Sequence, residues 1–479
     1  MPEPQPRSFT LTSQSQFTKL AAIALFYVVL VYVLPKPESV KPEGWRLLGI
    51  FLSIIAGLIL QPIPGGAIVL IGVTLSAATK SITIAEALAG YADGSVWLVV
   101  AAFMISRSLI NTGLARRIAL FFVRLFGRSS LGVSYALAMS DVVLGAIIPS
   151  NAARSGGVVL PILRSITELY GSTPGPTAAM LGTFLYAAVY QSICISAAMF
   201  FTGQASNPLA ASISTQAGFP ITPVSWFMAG IVPGTVSLIL APLVARWMLP
   251  PVIRETPEAA EFARKELTAM GSLSLAEKIM AAVFLSVCVG WVTHRMHGID
   301  ITVVALLGSA VLLISGVLSW DDVKKETAMW DIFLWYGGLV CLGRELNKAG
   351  VTQAFAKGVA SFFLDSSWVV LFAVALLVYF YAHYGFASIT AHILAMYPPF
   401  LAVLTAKGAP IGLVAFSFAT FVNFAAGLTN YGTTPSPMFF AHEYVTWKDW
   451  WRVGFLMSVI NLTVWSTVGF LWWKLLGIW

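Results

Sequence analysis

Two short polar clusters interrupt otherwise apolar sequence, and they resemble each other. The first, in "IIPSNAARSGGVVLPIL" (147–163), sets Ser150, Asn151, Arg154 and Ser155 between two prolines. The second, in "AHYGFASITAHILAMYPPF" (382–400), sets Ser388, Thr390 and His392 ahead of a Pro-containing apolar run. In each, a basic or ionisable residue follows four positions after the serine: Arg154 after Ser150, His392 after Ser388. Short hydroxyls and amides at the start of a helix are groups that grip carboxylate oxygens. The helix N-terminus adds unpaired N–H groups and partial positive charge. Two such clusters could hold the two ends of a dicarboxylate.

A second pair of interruptions carries proline: "TGQASNPLA" (202–210) with Asn207, and "YGTTPSPMF" (431–439) with Thr433 and Thr434. Proline removes an N–H donor and breaks a helix. At membrane depth, irregular backbone persists only when buried in protein or lining a cavity. Matched interruptions in two halves of a chain mark a transporter's substrate site. The competing account is that small residues merely let helices pack closely; four clusters in register favour the site. A charge in mid-membrane costs roughly 2.5–3.5 kcal/mol on insertion scales. Arg154 therefore either faces an anion beside a protonated His392, or pairs with Asp141 and staples its own segment.

The elements that must hold these clusters are membrane helices. The chain of 479 residues is 58% hydrophobic and only 10% charged, against about 25% charged in soluble domains. At about 20 apolar residues per crossing, this predicts an all-α polytopic membrane protein with about eleven transmembrane helices. "ARRIALFFVRLFGRSS" (115–130) reads as a basic amphipathic helix at the interface, and 250–278 is the one long hydrophilic linker. Placing the basic loops inside puts the N-terminus in the cytoplasm and the C-terminus outside. The net charge of +7 is read through that topology, not through nucleic acid.

The halves align. Arg107, Leu109 and Gly113 match Arg344, Leu346 and Gly350 at a spacing of 237, and Ser150 matches Ser388 at 238. With an odd number of crossings per half, the repeat is inverted. The expected division is a polar tail (1–17), a first repeat (18–249) with a re-entrant hairpin near 130–165, a cytoplasmic linker (250–278), and a second repeat (279–479) with a re-entrant hairpin near 383–406.

No P-loop, dinucleotide fingerprint or nucleophile elbow occurs, and His442-Glu443 lacks the second histidine of a zinc protease. Cys194, Cys288 and Cys341 lie in apolar runs without metal spacing. No enzyme, cofactor or metal site is expected.

"PSNAARSGG…LPI", "AHYGFASITAHILAM", "GLTNYGTTPSP" and the ending "WWRVGF…FLWWKLLGIW" resemble the divalent anion/sodium symporter family from about residue 35 onward. The similarity is greatest to its exchanger branch, which includes plastid 2-oxoglutarate/malate translocators and bacterial citrate/succinate and tartrate/succinate antiporters. The resemblance implies a homodimer whose protomers each have a scaffold and a moving transport domain, working as an elevator. The family's Ser-Asn-Thr signature falls on Ser150-Asn151-Ala152 and Ser388-Ile389-Thr390, so Ala152 and Ile389 depart from it. In the exchanger branch, an Arg and a His like Arg154 and His392 stand near where sodium would sit.

The substrate-binding set is then Ser150, Asn151, Ser388, Thr390, Thr433, Thr434 and Asn207, with Arg154 and His392 compensating charge. Two fixed cations would neutralise a bound dianion and slow the return of the empty carrier. The implied function is sodium-independent antiport of di- or tricarboxylates of the 2-oxoglutarate, malate and succinate class. The alternative is a sodium-coupled dicarboxylate symporter. The short N-terminal tail favours a bacterial inner membrane over a processed plastid protein as the expected location.

Overall fold

A computed structural model describes residues 14–38, 40–352, 354–355 and 367–479. Among the described residues the elements are all helical. Ten helices are long and apolar enough to cross a membrane, against an expected eleven or so, and Gly65–Ala78, Ser130–Gly145 and Ile301–Ile314 are shorter apolar helices.

The chain forms two compact units. One comprises Met1–Tyr91 with Leu334–Ala354. Its helices Pro42–Leu60 and Gly65–Ala78 meet where Gly72 lies against Ile54 and Gly57 against Ile68; a Cβ on Gly72 would stand 2.2 Å from the Ile54 side chain. Tyr91 closes the unit by donating to the Leu334 carbonyl at 3.1 Å.

The other unit, Ala92–Phe333 with Phe355–Trp479, contains all four polar interruptions. The first hairpin descends as Ser130–Gly145, turns at 146–150, and returns as Asn151–Arg154, a π-helical turn over Ser155–Val159, and Leu160–Leu169. Its turn is fixed by Ser150, whose Oγ accepts from the Ala153 N–H at 3.1 Å. The second hairpin runs from Trp368–Ala382 through a short turn to Ile389–Ala406, and Ser388 caps it identically, accepting from Ala391 at 3.3 Å. Its first arm starts well before 383, because "WVVLFAVALLVYFYA" carries no polar residue that separates an arm from an ordinary span.

Two broken helices form the centre. Gly182–Met199 leads into an irregular stretch and resumes as Ser206–Gln216; Ile411–Ala425 leads into another and resumes as Pro435–Phe440. Both leading helices are almost wholly buried.

The amphipathic helix forms over Leu114–Phe126, leaving Phe121, Leu125 and Phe126 exposed. Gly113 before it and its sequence match Gly350 both take the left-handed backbone, at φ +82° and +74°. The hydrophilic stretch after 250 is strapped to the base of the first hairpin. Ser130 N donates to Arg254 O, and Thr256 N to Arg128 O, both at 2.9 Å. The stretch continues as a helix, Pro257–Ala269. Arg117 then holds the chain beyond it, reaching Glu277 at 2.6 Å and the Gly271 carbonyl at 2.9 Å.

Candidate functional site

Ser150 and Ser388 end the two hairpin turns and open the helices that carry Arg154 and His392. Both later residues are fully buried, but their surroundings differ.

Arg154 is enclosed by oxygen. Its Nε donates to Asp141 Oδ1 at 2.9 Å. Nη1 donates to the carbonyls of Ile148 at 2.8 Å and Gly203 at 2.5 Å. Nη2 faces Asn151 Oδ1 at 3.2 Å and Asp141 Oδ2 at 3.5 Å. All five guanidinium N–H groups thus point at acceptors. Asp141, on the descending arm, is equally buried and also accepts from the Ser196 hydroxyl of the first broken helix. Thr202 adds a strap from the break to the same turn, donating to the Gly145 and Ala146 carbonyls at 3.1 and 2.9 Å. The Asp141 pair foreseen in the sequence is formed, and the pair carries no net charge.

Among the described residues His392 has no carboxylate partner. Its Nδ1 lies 2.8 Å from Nδ1 of His383, whose Nε2 lies 2.8 Å from the Gly432 carbonyl in the second break. Its ring stacks on Phe386 at 4.7 Å and leans on Tyr379 at 4.4 Å. His392 Nε2, Ser155 Oγ and Thr429 Oγ1 are buried without a hydrogen-bond partner among the described residues. Thr429 Oγ1 and His383 Nε2 both crowd Gly432, where an added Cβ would meet them at 3.0 and 3.1 Å.

The broken helices brace each other. Asn207 is fully buried; its Nδ2 donates to the Ala197 and Phe200 carbonyls, at 2.8 and 2.9 Å. Its Oδ1 accepts from Asn423 of the second broken helix at 3.0 Å, and Gln204 donates to Asn423 Oδ1. In the reverse direction, Gln191 donates to Gly427 O at 3.0 Å, and Tyr190 to Ala426 O at 2.9 Å. Tyr190 also meets Ser436 Oγ at 2.5 Å, and that oxygen accepts from Thr433 N at 3.1 Å.

The structure therefore brings Ser150, Asn151 and Arg154 together at one turn, and Ser388, Thr390 and His392 at the other. Asn207 has its polar atoms engaged by protein. Thr433 is buried at the second break and Thr434 is exposed there. Reading the sequence alone missed Asn423, Gln204, Gln191 and Ser196 as parts of this assembly. Asn423 left a signal, being the one amide in the apolar run "GLVAFSFATFVNFAAGL" (412–428). Among the described residues, no group of three or more His, Cys, Asp or Glu is gathered as a metal site would require.

Comparison with known proteins agrees with this architecture. The chain is 44% identical over 453 residues to the putative malate transporter YflS of Bacillus subtilis, covering 94% of this chain and 95% of that one. It is 41% identical over 455 residues to the chloroplastic dicarboxylate transporter 1 of Spinacia oleracea, covering 94% and 80%. Its fold is similar to that of the Alcanivorax borkumensis YdaH transporter, at a TM-score of 0.52 and 11% identity, over 97% of this chain and 99% of that one. The model of the sodium:sulfate symporter transmembrane region matches residues 14–479, and the chain belongs to that family of multi-pass membrane transporters.

Proposed function

We propose that the protein exchanges di- or tricarboxylates of the 2-oxoglutarate, malate and succinate class across a bacterial inner membrane, without sodium. The carboxylate class rests on relatives named as malate and dicarboxylate transporters and on the two serine-capped helix starts, which offer N–H groups to an anion. Ser150 and Asn151 would take one end of the substrate, and Ser388 and Thr390 the other. Thr433 and Thr434 would supply contacts from the second break. Asn207 is assigned to holding its break in shape, since its amide is engaged by protein.

Sodium independence is carried by one observation: the Arg154 guanidinium fills a cage of oxygens from Asp141, Asn151, Ile148 and Gly203. A fixed cation in that cage does what a mobile cation would do, and needs no ion from solution. Because Asp141 neutralises Arg154, the barrier to return of the empty carrier has to come from elsewhere. Helix-start N–H groups left without an anion must cross unpaired, at about 1–3 kcal/mol for each buried donor. That slows the empty step roughly 10- to 100-fold and favours exchange over net flux. His392, when protonated, adds to the attraction for a dianion.

The movement would be an elevator displacement in a homodimer, with the N-terminus inside and the C-terminus outside. The orientation follows from Arg116, Arg117, Arg124 and Arg128 on one loop. Purified protein in liposomes tests the reading. Labelled 2-oxoglutarate, malate or succinate should enter only vesicles preloaded with unlabelled substrate, at the same rate in sodium and in choline. Fast uptake into empty vesicles driven by a sodium gradient refutes exchange and selects sodium symport.

A further inference from the structure

Four ring nitrogens lie in the His383–His392 couple, and the structure determines which of them hold hydrogen. A carbonyl oxygen only accepts, so His383 Nε2, 2.8 Å from Gly432 O, is a donor. Neutral His383 then presents a bare Nδ1. The facing Nδ1 of His392, 2.8 Å away, must supply the hydrogen between them. Neutral His392 in turn carries a bare lone pair at Nε2, the atom that is buried without a partner. Shifting both hydrogens to the other tautomers would point a lone pair at the Gly432 carbonyl and forfeit that bond. The couple therefore has one vacancy for an added proton, His392 Nε2.

A proton there makes a buried cation, and the described residues packed against it offer no counter-charge. Helices Ile411–Ala425 and Ser206–Gln216, which pack on the His392 helix, carry no ionisable residue. The descending arm contributes only Tyr379 and Tyr381, the second break only Tyr431, and the turn between the arms His383 and Tyr384. The His392 helix itself adds Tyr397, whose hydroxyl donates to Ala415 O at 3.0 Å. An uncompensated buried charge is costly, so the proton needs an anion nearby. His392 lies in the first turn after Ser388, its N–H donating to Ser388 O at 3.1 Å, beside the helix start assigned to a substrate carboxylate.

We infer that the His383–His392 couple is a proton site that fills together with the bound anion, with His383 as the positioning residue that reserves Nε2 of His392 for the proton. This rests on the carboxylate reading above. By linkage the coupling is reciprocal: the anion raises proton affinity, and the proton raises anion affinity by the same factor. The transported unit is then a dianion with one proton.

Calorimetry of 2-oxoglutarate binding to the purified protein in detergent, at pH 7.5 in buffers of different ionisation enthalpy, counts the protons taken up. At that pH the free ligand is fully ionised, so it contributes none. Wild type should take up about one proton per ligand, and its affinity should fall toward tenfold per pH unit above neutral. His392→Asn keeps an N–H near the Nδ1 position and deletes Nε2; it should bind with no proton uptake and a flat pH profile. His383→Gln keeps a donor near the Nε2 position toward Gly432 but has no acceptor at the Nδ1 position that faces His392, and should lower the proton count while leaving binding measurable. Ligand binding to wild type with no proton uptake overturns the inference and leaves exchange standing, as does undiminished uptake in His392→Asn. Absence of binding by any di- or tricarboxylate instead defeats the functional reading on which it rests.

Discussion

Asp141 and Arg154 face each other across the first hairpin, Oδ1 to Nε at 2.9 Å, with neither side chain reaching solvent. One residue comes from the descending arm and the other from the returning one, so the pair fixes how the arms meet. Removing either partner alone leaves a bare buried charge, which typically costs about 3–5 kcal/mol.

Arg154→Ala and Asp141→Asn should therefore each lower the Tm in detergent markedly and suppress exchange. The double variant with Leu at 141 and Met at 154 should recover most of the stability but not the transport. Sodium should restore part of the exchange in Arg154→Ala, whose vacated oxygens still include the Asp141 carboxylate. Equal stability of single and double variants would refute the pairing account.

Asn423→Ala removes the donor to Asn207 and the acceptor for Gln204. Each buried amide group left unpaired costs about 1–3 kcal/mol. Unfolding of the purified protein should occur at lower temperature, and exchange should slow even where Asn423 touches no substrate. An unchanged Tm would show that the bridge carries no weight.

Gly454 lies where the Trp447–Val464 helix crosses the second break. An added Cβ there would meet the Gly427 and Leu428 carbonyls at 2.5 and 2.9 Å. Backbone on both sides leaves little room to relax, so Gly454→Ala should cost about 1–3 kcal/mol and reduce exchange. Chemical denaturation monitored by tryptophan fluorescence measures this.

Outside the membrane-spanning helices, the Tyr170 hydroxyl donates to Glu258 at 2.5 Å and holds that carboxyl below its usual range. A carboxyl with a depressed folded value adds stability above its unfolded value and loses it as pH falls through the folded one. The Tm gap between wild type and Tyr170→Phe should be present at neutral pH and close in acid. A gap constant with pH would rule out Glu258 as its source.

How much of this was legible in the sequence depended on whether a feature was local. Ser150 and Ser388 were readable as hairpin turns because short polar residues stand out against apolar flanks, and each caps a helix only three residues on. Asp141 was readable as a partner for Arg154 because it is the nearest carboxylate in an almost uncharged stretch. The His383–His392 contact was hidden: both were visible, but only the geometry of the turn between them sets two Nδ1 atoms face to face. The engagement of Asn207 was hidden as well. One of its partners, Asn423, lies 216 positions away. The Ala197 and Phe200 carbonyls that hold its Nδ2 are main-chain groups with no sequence signature, so sequence showed a free amide where the fold has an engaged one. The linker reads as hydrophilic spacer, yet its backbone is tied by hydrogen bonds to a hairpin base far upstream.

The mutual bracing of the broken helices also bears on how the chain is made. At synthesis rates of about 5–20 residues per second, the 216 positions between Asn207 and Asn423 correspond to about 10–40 s. For that interval the Asn207 acceptor has only Gln204 of its own break, at 3.4 Å, and Gln191 waits for the Gly427 carbonyl. Neither half is a finished protein: a chain stopped before Asn423 would leave Gln191 and Gln204 without their partners in the second half, while two separately expressed halves could complete each other. The cross-bonds between the broken helices make each half dependent on the other for assembly.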